Sequence, residues 1–80
     1  MKLKLEELSN QIEMMEIIIN GEKKQLSQTL SLSELLTHFS LSAERIAIEL
    51  NREVVRRKDW GNIKVGEGDK LEVIHFVGGG

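Results

Sequence analysis

The sequence predicts an α+β domain: a mixed sheet of four to five strands with one main helix across one face. Three observations carry that expectation. Two short extended runs flank Asn20-Gly21, the stretch Ser31-Leu32-Ser33-Glu34 opens an amphipathic helix, and from Arg45 onward the chain returns to short runs rich in Val and Ile. A helix confined to one face is how such a sheet buries its apolar side. At 80 residues the chain makes one domain with a modest core. Its 40% apolar and 30% charged content is ordinary for a soluble globular domain.

Residues 1–14 read as an extension, either a weakly amphipathic helix or disordered. Met1 to Glu6 alternates polar and apolar, whereas Leu5, Leu8 and Ile12 fall at helical spacing, so two patterns compete. The domain proper is expected over 15–77. Met15 to Asn20 is short and β-branched, as strands are. Asn20-Gly21 is a hairpin signal, because a type I′ turn requires positive φ at both central residues. The return strand is expected from Lys23 to Gln28, with Leu26 facing in. Ser31 and Glu34 then form a capping box, in which each side chain satisfies a backbone N–H of the first helical turn. Leu32, Leu35, Leu36 and Phe39 follow at i, i+3, i+4 and i+7, a single apolar stripe.

Beyond a polar break, Ile46, Ile48 and Leu50 alternate with Ala47 and Glu49, so one side of this strand is buried. Asn51-Arg52-Glu53 turns the chain into a brief strand at Val54-Val55. Arg57 to Trp60 suits a short helical turn with Trp60 tucked inward. Gly66-Glu67-Gly68-Asp69 is a tight turn that launches the last strand, Leu71 to Val77. Strand, strand, helix, strand, short strand, strand is the order of the β-grasp fold, in which the last strand returns to the sheet centre. The expected core is Ile17, Ile19, Leu26, Leu35, Leu36, Phe39, Ile46, Ile48, Leu50, Leu71 and Val73.

Several function classes are disfavoured. A net charge of -2 argues against nucleic acid, and the one basic cluster, Arg56-Arg57-Lys58, is followed at once by Asp59. With no cysteine there is no thiolate and no disulfide. No apolar run approaches the roughly 20 residues of a membrane span, so no membrane partner and a cytoplasmic location are expected. Gly66-Glu67-Gly68-Asp69 lacks the spacing of a phosphate loop and leads into a strand. Neither His38 nor His75 has a carboxylate or second histidine at ligand spacing, so no metal site is expected. No nucleophile–base pair or acidic dyad appears at useful spacing, so the chain is not expected to be an enzyme.

What remains is the end of the chain. The last strand runs into Gly78-Gly79-Gly80, expected as a flexible tail with the Gly80 carboxylate free. Glycine has no Cβ, so such a thread enters channels closed to any other residue. A terminal carboxylate can be activated as an acyl derivative without cutting the chain. With a pKa of ~3.5 it is ionised at neutral pH and a poor electrophile, so activation needs a good leaving group. Fraying is the plainer reading of three glycines alone; the motifs upstream reverse it.

Those motifs are Ile19-Asn20-Gly21-Glu22, Leu32-Ser33-Glu34-Leu35-Leu36, Ala47-Ile48-Glu49-Leu50-Asn51-Arg52-Glu53-Val54-Val55, Trp60, and Glu67-Gly68-Asp69 through His75-Phe76-Val77-Gly78-Gly79-Gly80. With them the chain from Met15 to Gly80 resembles the ubiquitin-like sulfur carriers, most closely the ThiS family of thiamin biosynthesis. Arg56 stands where that family often has proline, which affects the rigidity of that turn, and residues 1–14 have no counterpart. The resemblance implies a protein co-substrate. A ThiF-type adenylyltransferase, related to ubiquitin-activating enzymes, adenylates the Gly80 carboxylate with ATP. Sulfur from a cysteine desulfurase relay displaces AMP and leaves a thiocarboxylate, which thiazole synthase draws on for the thiazole ring. No cofactor is expected on the chain itself; ATP and sulfur are both supplied by partner enzymes.

If Leu71 and Val73 point inward, Ile74 and Phe76 point out beside Ala47, on the sheet face the helix leaves open. Continuous with the tail, those three residues form the expected partner-binding face. His75 shares the inward register as the strand leaves the core. Two other readings remain: a carrier for molybdopterin synthesis with the same chemistry, and a ubiquitin-like binding module whose tail is never activated.

Overall fold

The hairpin forms where the sequence places it. In the computed structural model, which describes residues 14–76, Asn20 and Gly21 have φ of 50° and 83°. These two positive values give a turn whose twist matches its flanking strands. They join β1 (Met15–Ile19) to β2 (Glu22–Leu26) in antiparallel register. The return strand thus ends at Leu26, two residues short of the expected Gln28, because Ser27 to Thr29 bend toward a further strand.

That strand, β3 (Leu30–Ser31), leads directly into α1 (Leu32–His38). The Ser31 hydroxyl accepts from the Glu34 backbone N–H at 3.1 Å, and a Glu34 carboxylate oxygen accepts from the Ser31 N–H at 2.8 Å, completing the capping box. The Ser31 backbone bond, then its hydroxyl, then Lys64 with its Nζ 3.8 Å away hold the Glu34 carboxyl below its ordinary range. α1 buries Leu32, Leu35 and Leu36, while Phe39 at its end is only half-buried.

β4 (Ile46–Leu50) and β5 (Glu53–Val55) form a second hairpin. Its two loop residues also take positive φ, 51° at Asn51 and 73° at Arg52. A 3₁₀ turn (Arg57–Asp59) then brings Trp60 into the core. The indole Nε1–H donates to the Val55 carbonyl at 3.0 Å, and the Arg57 guanidinium lies 4.4 Å from the ring centroid. β6 (Lys64–Val65) pairs with β3, a two-stranded sheet that the sequence did not reveal.

β7 (Lys70–His75) closes the fold. The main sheet has the order β2-β1-β7-β4-β5, with β7 parallel to β1 and antiparallel to β4. The last strand therefore sits at the centre, as expected. The turn before it is fixed on β1: Gly68 N–H donates to the Glu16 carbonyl at 2.9 Å, and Glu16 N–H to the Glu67 carboxylate at 2.9 Å. Gly68 has φ of 82°, which favours a residue without Cβ.

The core unites Ile17, Ile19 and Leu26 of the first hairpin with the leucines of α1, Ile46 and Ile48 of β4, and Leu71 and Val73 of β7. Leu32, Trp60 and Val65 also belong to it, whereas Leu50 and Phe39 pack only against its edge. Burying a Leu or Ile fully is worth about 1.5–3 kcal/mol, so a dozen such side chains supply the main driving force. Among the described residues no buried side-chain polar atom lacks a hydrogen-bond partner. No helix among them is long and apolar enough to cross a membrane.

Candidate interaction face and root of the tail

Two asparagines set where β7 lies. Asn20 Oδ1 accepts from the Val73 N–H at 2.8 Å, and Asn20 N–H donates to the Leu71 carbonyl at 2.9 Å. On the other flank, Asn51 Oδ1 accepts from Lys70 N–H at 3.0 Å while its Nδ2 donates to Asp69 Oδ1 at 3.0 Å. Each asparagine sits at the first left-handed position of a hairpin turn, where its short polar side chain is tolerated. The same residue thus makes a turn and clamps the strand beside it.

Held there, β7 alternates in burial: Leu71 and Val73 are buried, while Glu72 and Ile74 are exposed. Ile74 pairs with Ala47 across the β4 ladder. Ile74 is 40% exposed and Phe76 is 56% exposed, as the alternation predicted. Ala47 is half-buried. His75 keeps the inward register, opposite Ile46, but it is exposed, because the strand has by then passed the end of the core. His38 is also exposed and packs edge-on to Phe39, with centroids 4.7 Å apart.

The last described rung is Phe76 N–H donating to the Arg45 carbonyl at 2.8 Å. Gly78, Gly79 and Gly80, expected as the tail, lie outside the described residues, as do residues 1–13 of the expected extension. Gly80 lies four positions beyond Phe76. Such a length spans at most about 14 Å when fully extended, so the reach from Phe76 is short.

Sequence reasoning placed Ala47, Ile74 and Phe76 on one face, as the structure does, but did not place three neighbours beside them. Glu72 lies opposite Glu49, and Glu49 lies opposite Val54, which is 70% exposed. The alternation in each strand was readable; which residues stand side by side was not, since that depends on pairing across the sheet. Among the described residues, no group of three His, Cys, Asp or Glu side chains gathers at metal-binding distance.

Comparison with known proteins is consistent with this architecture. The model of the ThiS family matches residues 7–80, beginning ahead of Met15, where the resemblance was expected to start. The ThiS thiamine biosynthesis protein of Geobacter metallireducens has a crystal structure that superposes with a TM-score of 0.75 at 33% identity, covering 82% of this chain and all of that one (100%). The sulfur carrier protein ThiS of Bacillus subtilis is 29% identical over 63 residues, 78% of this chain and 96% of its own length. A thiazole synthase of Paramagnetospirillum magneticum is 35% identical over 66 residues, 82% of this chain. The chain spans only about a fifth (20%) of that synthase's length. The mixed sheet with its single covering helix is the β-grasp fold of the ThiS structures.

Proposed function

The chain belongs to the ThiS family, the sulfur carriers of thiamin biosynthesis, and from that premise we propose that its cargo rides on Gly80. An adenylyltransferase of the ThiF type binds the domain and joins the Gly80 carboxylate to the α-phosphate of ATP, releasing pyrophosphate. A persulfide sulfur from a cysteine desulfurase relay then attacks the acyl carbon and AMP leaves, and a thiol cleaves the resulting acyl disulfide, itself ending in a disulfide. The thiocarboxylate that results is presented to thiazole synthase. The protein is a co-substrate in this scheme and works in the cytoplasm beside its partners. It holds no cofactor, since both the nucleotide and the sulfur arrive with other proteins.

The observation that carries this reading is the placement of β7. It runs through the sheet centre toward Phe76, which stands four positions before Gly80 in the sequence, with Ile74 and Phe76 exposed beside Ala47. A rigid platform next to a chain end with three consecutive glycines suits delivery of an acyl carbon into a narrow site. Ala47, Ile74 and Phe76 would seat the partner, and Gly78 and Gly79 would thread its entrance. Support for thiazole synthase as the recipient comes from relatives of that name in which a segment like this chain forms part of the same polypeptide.

Intact-mass spectrometry tests the proposal. The 80-residue protein expressed with the adenylyltransferase and sulfur donors of its own organism should gain about 16 Da, one oxygen replaced by sulfur. Deleting Gly80 should abolish the gain and leave the fold intact. An unshifted mass in the 80-residue protein that retains Gly80 would favour a binding module whose tail is not activated. A variant without Gly80 that unfolds would show the tail to be a packed element, contrary to the scheme.

A further inference from the structure

The helix-free face of the main sheet carries two kinds of surface side by side. Toward the tail lie Phe76, Ile74 and Ala47; one step back along the register, Glu72 of β7 stands directly opposite Glu49 of β4. Directly opposed side chains on adjacent strands have Cβ atoms about 4.5–5.5 Å apart, and like charges there repel. The ion pairs among the described residues are Lys24–Glu22, Lys58–Asp59 and Lys64–Glu34, so within that set neither carboxylate is paired. Lys70 shares this face and is not among those pairs.

Elsewhere the described chain has a capped helix, positive φ at the hairpin asparagines and no orphaned buried side chain, and its other left-handed non-glycine residues, Ser40, Arg45 and Arg52, are confined to turns. A local conflict in an otherwise consistent sequence marks a surface shaped by something besides folding. The complement is a protein surface that sets an Arg or Lys between the two carboxylates and lays apolar side chains on Ile74, Ala47 and Phe76. A guanidinium suits the first task, because its planar fork donates to two carboxylates at once. We propose that this surface belongs to thiazole synthase and that Glu49 and Glu72 are the seat for its cation, a role that presupposes the sulfur-carrier function above. The synthase is the favoured occupant because in relatives of that name a segment like this chain lies in one polypeptide with the remainder, which keeps the two surfaces together.

The test titrates the thiazole synthase of the same organism with the full 80-residue protein and with its Glu49→Gln/Glu72→Gln variant. A matched control, Glu22→Gln/Glu53→Gln, removes the same net charge from positions that pair with Ile19 and Leu50, on the opposite side of the sheet. The expected result is affinity about ten-fold weaker for the Glu49/Glu72 variant, with a flatter salt dependence, and wild-type affinity for the control. The variant's thermal midpoint should equal or exceed that of the wild type, since a repulsion has been removed. Equal affinities for variant and wild type would overturn the proposal. So would an equal loss in the control, a fall in thermal midpoint, or a loss confined to the adenylyltransferase in a parallel titration. Failure of the wild-type protein to bind the synthase at all would instead sink the sulfur-delivery reading itself, and the two failures are distinct in the data.

Discussion

Replacing Asn20 tests whether a turn residue also fixes the strand that leads to the tail. Asn20→Ala removes the acceptor for the Val73 N–H, now bonded at 2.8 Å, and puts alanine at φ of 50°. Val73 is only 6% exposed, so water does not readily replace the lost partner. The hydrogen bond is worth roughly 1 kcal/mol net. A residue with an ordinary Cβ in the left-handed region adds about 1 kcal/mol. The sum, about 2 kcal/mol, corresponds to a fall of about 8–16 °C in Tm for a domain of this size. Asn20→Gly relieves the backbone and loses only the acceptor, for about 1 kcal/mol. Asn20→Asp keeps both features and should lie within about 0.5 kcal/mol of the wild type. Urea unfolding at unchanged m-value gives the order. An alanine variant as stable as the glycine variant would refute the strain argument. Alanine and glycine variants both at wild-type stability would show the bond to Val73 to be idle.

Three further outcomes are expected. Ser31→Ala should cost about 1 kcal/mol by chemical denaturation, through loss of the helix cap. Because the Glu34 carboxyl is held below its ordinary value in the folded chain, the unfolded chain takes up that proton first as pH falls. The stabilisation is thus present above the ordinary glutamate range and lost below it as pH drops through the folded value; in Ser31→Ala this acid loss should shrink, and an unchanged acid limb would contradict the assignment. Arg52→Gly relieves a side chain at φ of 73° and should raise stability by roughly 0.5–1 kcal/mol, read as a higher thermal midpoint; a lower midpoint would show that the Arg52 side chain contributes more than its backbone costs. Phe76→Ala and Ile74→Ala, both at exposed positions, should change stability by less than about 1 kcal/mol yet weaken partner binding about ten-fold or more. A thermal loss with binding unchanged would reverse the assignment of their face.

The elements that sequence reasoning recovered are those whose signals are local. Asn20-Gly21, the capping box at Ser31 and Glu34, and the leucine stripe each occupy a few consecutive positions. The burial alternation of β7 was equally legible, which put Ile74 and Phe76 outside correctly. The missed features depend on partners far away along the chain. β3 and β6 have two residues each, too few to show alternation, and Val65 is a lone apolar side chain between Lys64 and Gly66. Its complete burial follows from pairing with Leu30, which no local pattern announces. The clamps from Asn20 to Val73 and from Asn51 to Lys70 were hidden for the same reason, as was the meeting of Glu49 with Glu72. His75 was read correctly as well: it keeps the inward register just where the strand leaves the core.

The central position of β7 also decides how the domain bears mechanical load. An enzyme that draws the chain end into a closed site pulls along the axis of this strand. The force then runs across the rungs to β4 on one side and to β1 and the Asn20 side chain on the other, so they resist together in shear. A strand at the sheet margin would peel away rung by rung under the same tug. Under the proposed function, a pull on this strand is therefore shared by both flanks and the body stays folded.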